Sequence, residues 1–151
     1  RSILPRVRAV HPGSTLTVVG RNPPSSLTRA DRDVRFTGAV DDVRPYLAGA
    51  AVCVAPLRIG GGTRLKVLEA LAHRRPVVST TLGIEGLHLA PGDDLLVADS
   101  ADAFARAIVL ALTNRPLADR IAAHGRGSVE TTYSTSAISG VMAAALERAR
   151  A

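Results

Sequence analysis

The sequence predicts an α/β fold in which a mostly parallel sheet is doubly wound, so that helices cover both of its faces. Three observations predict it. Short segments rich in Val and Ala are typical of strands, and helical segments alternate with them. A third observation is the length, because 151 residues fit one domain with a sizeable core. We therefore expect a single Rossmann-like domain.

The elements follow one another along the whole chain. Strands are predicted at 15–20, 34–38, 51–55, 76–80 and 95–98, and helices at 2–10, 43–48, 64–73, 101–113, 116–131 and 136–150. Local signals mark several boundaries. The turn His11-Pro12-Gly13 ends the first helix, Asp41 or Asp42 can cap the second, and Pro116 suits a first helical turn.

Composition narrows the classes of partner. The net charge of +6 comes from 19 basic and 13 acidic residues, and 18 of the basic residues are Arg scattered along the chain. Scattered Arg is typical of a solvated surface, although a diffuse basic field also attracts anionic substrates and membranes. Aromatic residues make up only 3%, too few for the stacking platforms that bind single-stranded nucleic acid. We predict no nucleic-acid partner.

Cysteine content and hydropathy indicate the compartment. The single cysteine, Cys53, lies in an apolar strand, so a disulfide within the chain is excluded and core packing is expected. The sequence shows no signal peptide and no apolar run of about 18 residues, which favours a cytoplasmic domain. Because the sequence begins at Arg1 inside a predicted helix, we expect a fragment of a longer chain.

The stretch from Pro56 to Ala70 is the most informative for function. An apolar strand runs into the glycines Gly60-Gly61-Gly62 and then into an amphipathic helix. Glycines let the backbone approach a bound group, and the free N–H groups and positive dipole end of the helix favour phosphate. The spacing is neither that of a P-loop nor G-x-G-x-x-G. It predicts an anion pocket for a phosphorylated ligand.

A polar stripe starts at this loop. Lys66, Glu69 and His73 recur at i, i+3 and i+7 on a helix expected to begin near Thr63. Glu69 would lie roughly 9 Å along the axis, which suits a carboxylate holding a ribose, while Lys66 neutralises phosphate oxygens. Alternatively, Lys66 and Glu69 form only a surface ion pair, and His73 only ends the helix. The side chains expected to face the core are Val67, Leu68, Leu71 and Ala72.

The residues around the loop resemble those of a known family. Pro56 to Ala70 is followed by Leu71-Ala72-His73-Arg74-Arg75-Pro76-Val77-Val78-Ser79-Thr80 and by Gly83-Ile84-Glu85-Gly86-Leu87. These segments resemble the donor-binding C-terminal domain of family 4 (group 1) glycosyltransferases of GT-B fold. Further matches to the family pattern are Ile3-Leu4-Pro5, His11-Pro12, Leu16 to Arg21, Phe36-Thr37-Gly38, Gly92 to Leu96 and Tyr133-Ser134.

The resemblance implies one half of a GT-B enzyme that transfers a hexosyl group from a nucleotide-diphosphate sugar, with retention of anomeric configuration. This domain would bind the donor, and an N-terminal domain outside the fragment would bind an acceptor sugar, lipid or other small molecule. The fragment alone is expected to be inactive. Neither a metal nor another cofactor is implied. The residues predicted to bind the donor are Gly20, Arg58, Gly60, Gly61, Gly62, Thr63, Arg64, Lys66, Glu69 and Gly83.

The sequence departs from the family pattern at the loop itself. The family pairs two glutamates there; Glu69 matches the second, which holds the donor ribose, but Gly61 stands at the first. Sugar contacts are then expected from the backbone N–H groups of Gly61, Gly62 and Thr63. Arg74 stands where the family has glycine, so the helix must end without glycine's conformational freedom.

Two further features bear on phosphate and metal binding. The family's first strand, whose Arg and Lys bind the diphosphate, would precede Arg1. The segment Asp31-Arg32-Asp33 has the spelling of an Asp-x-Asp metal motif, but it lies in a loop before a strand and reads as a turn. We therefore expect phosphate charge to be neutralised by Lys66 with Arg58 or Arg64, and no metal site.

Two alternative functions stay open. A sugar-nucleotide 2-epimerase shares the GT-B architecture and would draw its acids and bases from Glu85, His73 and His88. A non-catalytic nucleotide-binding module would keep the pocket and lose the chemistry, which Gly61 and the short chain favour. For the transferase, the expected setting is cell-envelope polysaccharide biosynthesis in the cytoplasm, with peripheral association at the inner face of the membrane.

Overall fold

The computed structural model describes residues 2–21 and 34–150. The strands are β1 Leu16–Val18, β2 Val34–Phe36, β3 Cys53–Ala55, β4 Val77–Ser79 and β5 Leu96–Val97. The helices are α1 Ile3–Val10, α2 Arg44–Gly49, α3 Leu65–Ala72, α4 Thr81–Ile84, α5 Ala101–Thr113, α6 Arg115–Tyr133 and α7 Thr135–Arg150. Each predicted strand and helix is confirmed. The Asp31-Arg32-Asp33 turn lies outside the described residues.

The strands form two sheets rather than the one that was predicted. In the first, β1 pairs with β2; in the second, the order is β3-β4-β5, and every one of these pairings is parallel. Among the described residues no ladder joins β1 or β2 to the second sheet. A parallel sheet with helices on both faces is therefore confirmed, but its hydrogen bonding is interrupted.

The core lies on both faces of the second sheet. Successive residues of a strand point to opposite faces, and β4 shows this with Val77 and Val78, both fully buried. Val77 belongs to a cluster with side chains from α3 and α6, whereas Val78 packs with Phe104 of α5 and with Ile3 of α1. Helices thus cover both faces of the second sheet, as a doubly wound fold requires.

Helix α3 has one face buried in this core and one face exposed to solvent. Val67, Leu68 and Leu71 are buried as predicted, but Ala72 is exposed and Ala70 is buried instead. The prediction for Ala72 was wrong because it shares a face with Leu65 and Glu69, at i+7 and i+3, and that face points away from the sheet.

The C-terminal end of α3 turns without glycine. Arg74 adopts a left-handed conformation with φ of 52°. Its N–H donates to the Leu71 carbonyl at 2.8 Å, and the Arg75 N–H donates to the Ala70 carbonyl at 3.0 Å. These two bonds form a Schellman motif. Arg74 thus satisfies the last carbonyls of the helix, as glycine would, at the cost of backbone strain.

Two boundary signals recur at helix starts, although Val43, and not Asp41 or Asp42, stands at the N-terminal cap position of α2. Asp42 accepts a hydrogen bond from the N–H of Arg44, the first residue of α2, and Pro116 lies in the first turn of α6. The one-turn helix α4 was not predicted, because four residues are too few to show a helical period. Within the described residues, no helix is long and apolar enough to cross a membrane.

Candidate donor-binding site

The C-terminal ends of β3 and β4 are tied together by side-chain hydroxyl groups. Buried Ser79 donates through its hydroxyl to the Ala55 carbonyl at 3.3 Å, and the Thr80 hydroxyl donates to the Leu57 carbonyl at 2.6 Å. The chain segments that follow the two strands therefore lie side by side at one edge of the sheet. The loops after Ala55 and Thr80 thus share this edge.

The glycine loop, residues 56–63, leads from β3 to α3, and its three glycines differ in conformation. Gly60 and Gly62 have φ of 146° and 80°, which side chains rarely adopt. Gly61 has no positive φ, and a Cβ at this position would meet open space. Two of the glycines are therefore required by the backbone, whereas Gly61 is not.

Backbone N–H groups are left without partners along this loop. Among the residues that the structure describes, none accepts a hydrogen bond from the N–H groups of residues 60–66. Residues 60–63 are also exposed. Exposed N–H groups at a helix start carry partial positive charge, so this surface has the donors and the electrostatics that an anion needs.

The buried side chain of Arg64 forms hydrogen bonds with the glycine loop. Only 5% of this residue is exposed, and its guanidinium donates to the carbonyl oxygens of Gly60, Gly62 and Leu82 at 3.2, 3.1 and 3.0 Å. It also donates to a carboxylate oxygen of Glu85 at 3.3 Å. Arg64 was predicted to bind the donor, and in the structure its guanidinium is occupied by these four bonds within the protein.

Lys66 and Glu69 lie on the exposed side of α3, which begins at Leu65 rather than near Thr63. Within the described part of the chain neither side chain makes a hydrogen bond or an ion pair, so the two do not pair with each other. The surface ion pair that stood as the alternative reading is absent. Both groups are free to meet a ligand.

The other predicted donor-binding residues have different surroundings. Arg58 and Thr63 are exposed beside the glycines. Gly20 follows β1 in the other sheet, and its N–H is engaged with the Gly38 carbonyl at 3.2 Å. Gly83 is buried in α4, where a Cβ would lie 2.2 Å from the Ser79 hydroxyl oxygen. Gly83 therefore has no room for a side chain.

The sequence of this chain matches a known protein family. The sequence profile of the family described as "Glycosyl transferases group 1" matches residues 1–114. The chain belongs to this family. A curated relative, the lipopolysaccharide core biosynthesis glycosyltransferase LpsE of Rhizobium meliloti (strain 1021), is 36% identical in an alignment of 112 residues that covers 70% of this chain and 31% of that protein. The chain thus spans about a third of this relative.

Solved structures of glycosyltransferases share the fold. Sucrose-phosphate synthase from Thermosynechococcus elongatus superposes with a TM-score of 0.78 and 24% identity, over 97% of this chain and 41% of that one. Anabaena HepE, solved with UDP and glucose, superposes with a TM-score of 0.79 and 16% identity, over 95% of this chain and 44% of that one. The C-terminal domain of LpcC, a glycosyl transferase group 1 family protein from Francisella tularensis, superposes with a TM-score of 0.74 and 19% identity, over 89% of this chain and 79% of that one. The GT-B assignment is confirmed.

The residues named for an epimerase of the same architecture make no hydrogen bond or ion pair with one another in the described part of the chain. Glu85 pairs with Arg64, and His73 caps the end of α3 that lies away from the glycine loop. His88 donates its N–H to the Tyr133 hydroxyl at 2.6 Å. Over residues 2–21 and 34–150, no three His, Cys, Asp or Glu side chains gather as metal ligands would. The findings do not favour the epimerase.

Sequence reasoning missed how Arg64 is used. A signal was present, since Arg64, Val67 and Leu71 are spaced i, i+3 and i+7 and so lie on the buried face of the helix. Its partners Leu82 and Glu85 lie 18 and 21 residues further along the chain, where spacing carries no information.

Proposed function

We propose that this chain binds the nucleotide diphosphate of a sugar donor, as the donor half of an enzyme that transfers a hexosyl group to an acceptor. The observation that carries the proposal is the row of unpartnered N–H groups at residues 60–66, next to the unpaired side chains of Lys66 and Glu69. Membership of the glycosyl transferase group 1 family supports it.

The diphosphate would bind at the glycine loop. Exposed N–H groups and the positive end of the α3 dipole favour its negative charge, and Lys66, the single lysine of the sequence, adds a cation in the first turn of the helix. As the sugar leaves, charge grows on the departing diphosphate, and donors that are already oriented stabilise it without rearrangement. The loop thus serves binding and catalysis through the same groups.

The ribose would bind further along the helix. Glu69 is five residues beyond Arg64, the N-terminal cap, or about 7.5 Å along the axis at 1.5 Å per residue. A carboxylate accepts hydrogen bonds from two neighbouring hydroxyl groups at once, which matches a ribose diol. The exposed position of Glu69 keeps both of its oxygens available.

The relatives suggest which nucleotide to test first and in which biosynthetic process the chain takes part. HepE of Anabaena was solved with UDP and glucose, which makes uridine diphosphate the first probe. LpsE of Rhizobium meliloti is a lipopolysaccharide core biosynthesis glycosyltransferase, which supports a role in cell-envelope polysaccharide synthesis. We propose that this role is carried out at the cytoplasmic face of a membrane. We propose transfer with retention of configuration and without a metal ion. The acceptor would be a sugar or a lipid held by another domain.

The nucleotide assignment is tested by calorimetric titration of uridine and guanosine diphosphate. We expect Glu69→Ala to weaken binding about tenfold or more, because hydrogen bonds to a charged group contribute roughly 1.5–3 kcal/mol. The matched control is Glu147→Ala, an exposed glutamate on α7. Equal affinity of the wild type and Glu69→Ala would remove the ribose assignment, and a wild type that binds neither nucleotide would remove the nucleotide site.

The same samples give a second measurement. Because Lys66 is the only lysine, an amine reagent labels it and the α-amino group alone, and the α-amino group serves as an internal control. We expect the diphosphate to slow labelling of Lys66 but not of the control. Equal labelling rates with and without nucleotide would contradict the role of Lys66.

A further inference from the structure

We propose that Arg64 is a positioning residue of the donor site: its buried guanidinium orients the peptide groups of the glycine loop and makes no contact with the donor itself. This inference rests on the function proposed above, but it concerns the free protein. The side chain of Arg64 is 6% exposed, so the charge has little access to a ligand at the surface.

The orientation follows from the geometry of the peptide bond. Arg64 draws the carbonyl oxygens of Gly60 and Gly62 toward its two terminal nitrogens, at 3.2 and 3.1 Å. In a trans peptide group the C=O of one residue and the N–H of the next point in opposite directions, and no cis peptide bond occurs among the described residues. The N–H groups of Gly61 and Thr63 therefore point away from the guanidinium.

These two N–H groups belong to the unpartnered row at the loop surface. With their carbonyls held inward by a buried cation, Gly61 and Thr63 present their donors outward before any ligand arrives. Such preorganisation matters because a flexible loop would have to be ordered on binding, which lowers affinity. Gly60 and Gly62 contribute the positive φ angles that the arrangement needs.

The same guanidinium joins the loop to α4. Its Nε–H donates to the Leu82 carbonyl at 3.0 Å, and a terminal nitrogen reaches the Glu85 carboxylate at 3.3 Å. One planar group thus serves four acceptors on the segments that follow β3 and β4. Arginine offers five N–H donors in a rigid fork, whereas a lysine ammonium is a compact charge that cannot span these acceptors.

The test compares Arg64→Lys and Arg64→Met with the wild type and with Arg120→Met, which removes a surface arginine paired to Asp93. Backbone amide resonances are recorded without ligand, and uridine diphosphate is then titrated. We expect the Gly61 and Thr63 amide signals to shift in both Arg64 variants while those of α5 stay in place. Affinity should fall about tenfold, because N–H groups of Gly61 and Thr63 that no longer point outward lose hydrogen bonds to the charged diphosphate.

The possible outcomes separate a positioning role of Arg64 from direct contact with the donor and from a general structural role. Unshifted loop amides in Arg64→Lys overturn the inference, and if affinity falls without a shift, Arg64 contacts the donor directly. Wild-type affinity in Arg64→Lys also overturns it, and shifts that spread into α5 indicate a general structural role instead. Should Arg64→Met fail to fold, Arg64→Lys decides alone. A wild type that does not bind the nucleotide contradicts the proposed function, while the ligand-free spectra still test the positioning role.

Discussion

Two neighbouring segments at the same edge of the sheet differ in whether their backbone N–H groups have hydrogen-bond acceptors. In the glycine loop, residues 56–63, the N–H groups of residues 60–63 find no acceptor in the described structure, and the glycines are surrounded by open space or nearly so. After β4, the N–H groups are capped: Gly83 donates to Thr80, and Thr81 donates to Asp99. This difference agrees with the proposal that the ligand binds at the glycine loop and not at the segment after β4.

The comparison also separates two uses of glycine. Gly83 is glycine because there is no room for a side chain, whereas Gly60 and Gly62 are glycine because of their φ angles. Gly61 meets neither condition. The three kinds of site predict three different responses to alanine.

The largest effect is expected at Gly83. In Gly83→Ala the new methyl group would lie 2.2 Å from the Ser79 hydroxyl oxygen and 3.0 Å from the Ala55 carbonyl, so the hydroxyl ties between β3 and β4 must break or shift. We expect the free energy of unfolding to fall by about 3 kcal/mol. Urea denaturation measures it. Unchanged stability would show that α4 moves freely against the strand ends.

A smaller effect separates two adjacent glycines of the loop. Gly62→Ala places a side chain at φ of 80° and should cost about 1–2 kcal/mol or force the loop to rearrange, with loss of affinity for uridine diphosphate. Gly61→Ala should leave stability unchanged or raise it by less than about 1 kcal/mol, because its φ is ordinary and its Cβ meets open space. Equal responses of the two variants would contradict this description of the loop.

The smallest effect concerns the capped segment after β4. Hydrogen bonds from the Thr81 hydroxyl and N–H lower the pKa of Asp99 below its ordinary value. Because the folded-state pKa is the lower one, the stabilisation is full above the unfolded-state pKa and is lost as the pH falls through the folded-state pKa. We expect the stability difference between wild type and Asp99→Asn to shrink on acidification, as measured by unfolding from pH 7 downward.

The control for the pH experiment is Asp42, whose pKa is lowered by its hydrogen bonds from Arg44. Asp42→Asn should change the pH dependence independently of Asp99→Asn, since the two carboxylates lie on different elements. A stability difference for Asp99→Asn that stays constant down to low pH would show that the charge of Asp99 does not stabilise the fold.

Much of the fold could be predicted because its signals are local. The glycine loop lies between a strand and a helix as expected, and Val67, Leu68 and Leu71 face the core because helical spacing determines the face. The site could be predicted only in part. Lys66 and Glu69 are exposed and unpaired, but Arg64 and Gly83 are buried, because burial at a loop depends on which distant segment covers it.

By itself the sequence determined the order of strands and helices, the placement of the three glycines before α3, and the family, since each depends on neighbours along the chain. The tertiary structure alone decided that the hydrogen bonding is split into two sheets and that Arg64 reaches Leu82 and Glu85. Those contacts arise where the ends of parallel strands meet, and that meeting depends on packing across the whole domain rather than on spacing along the chain.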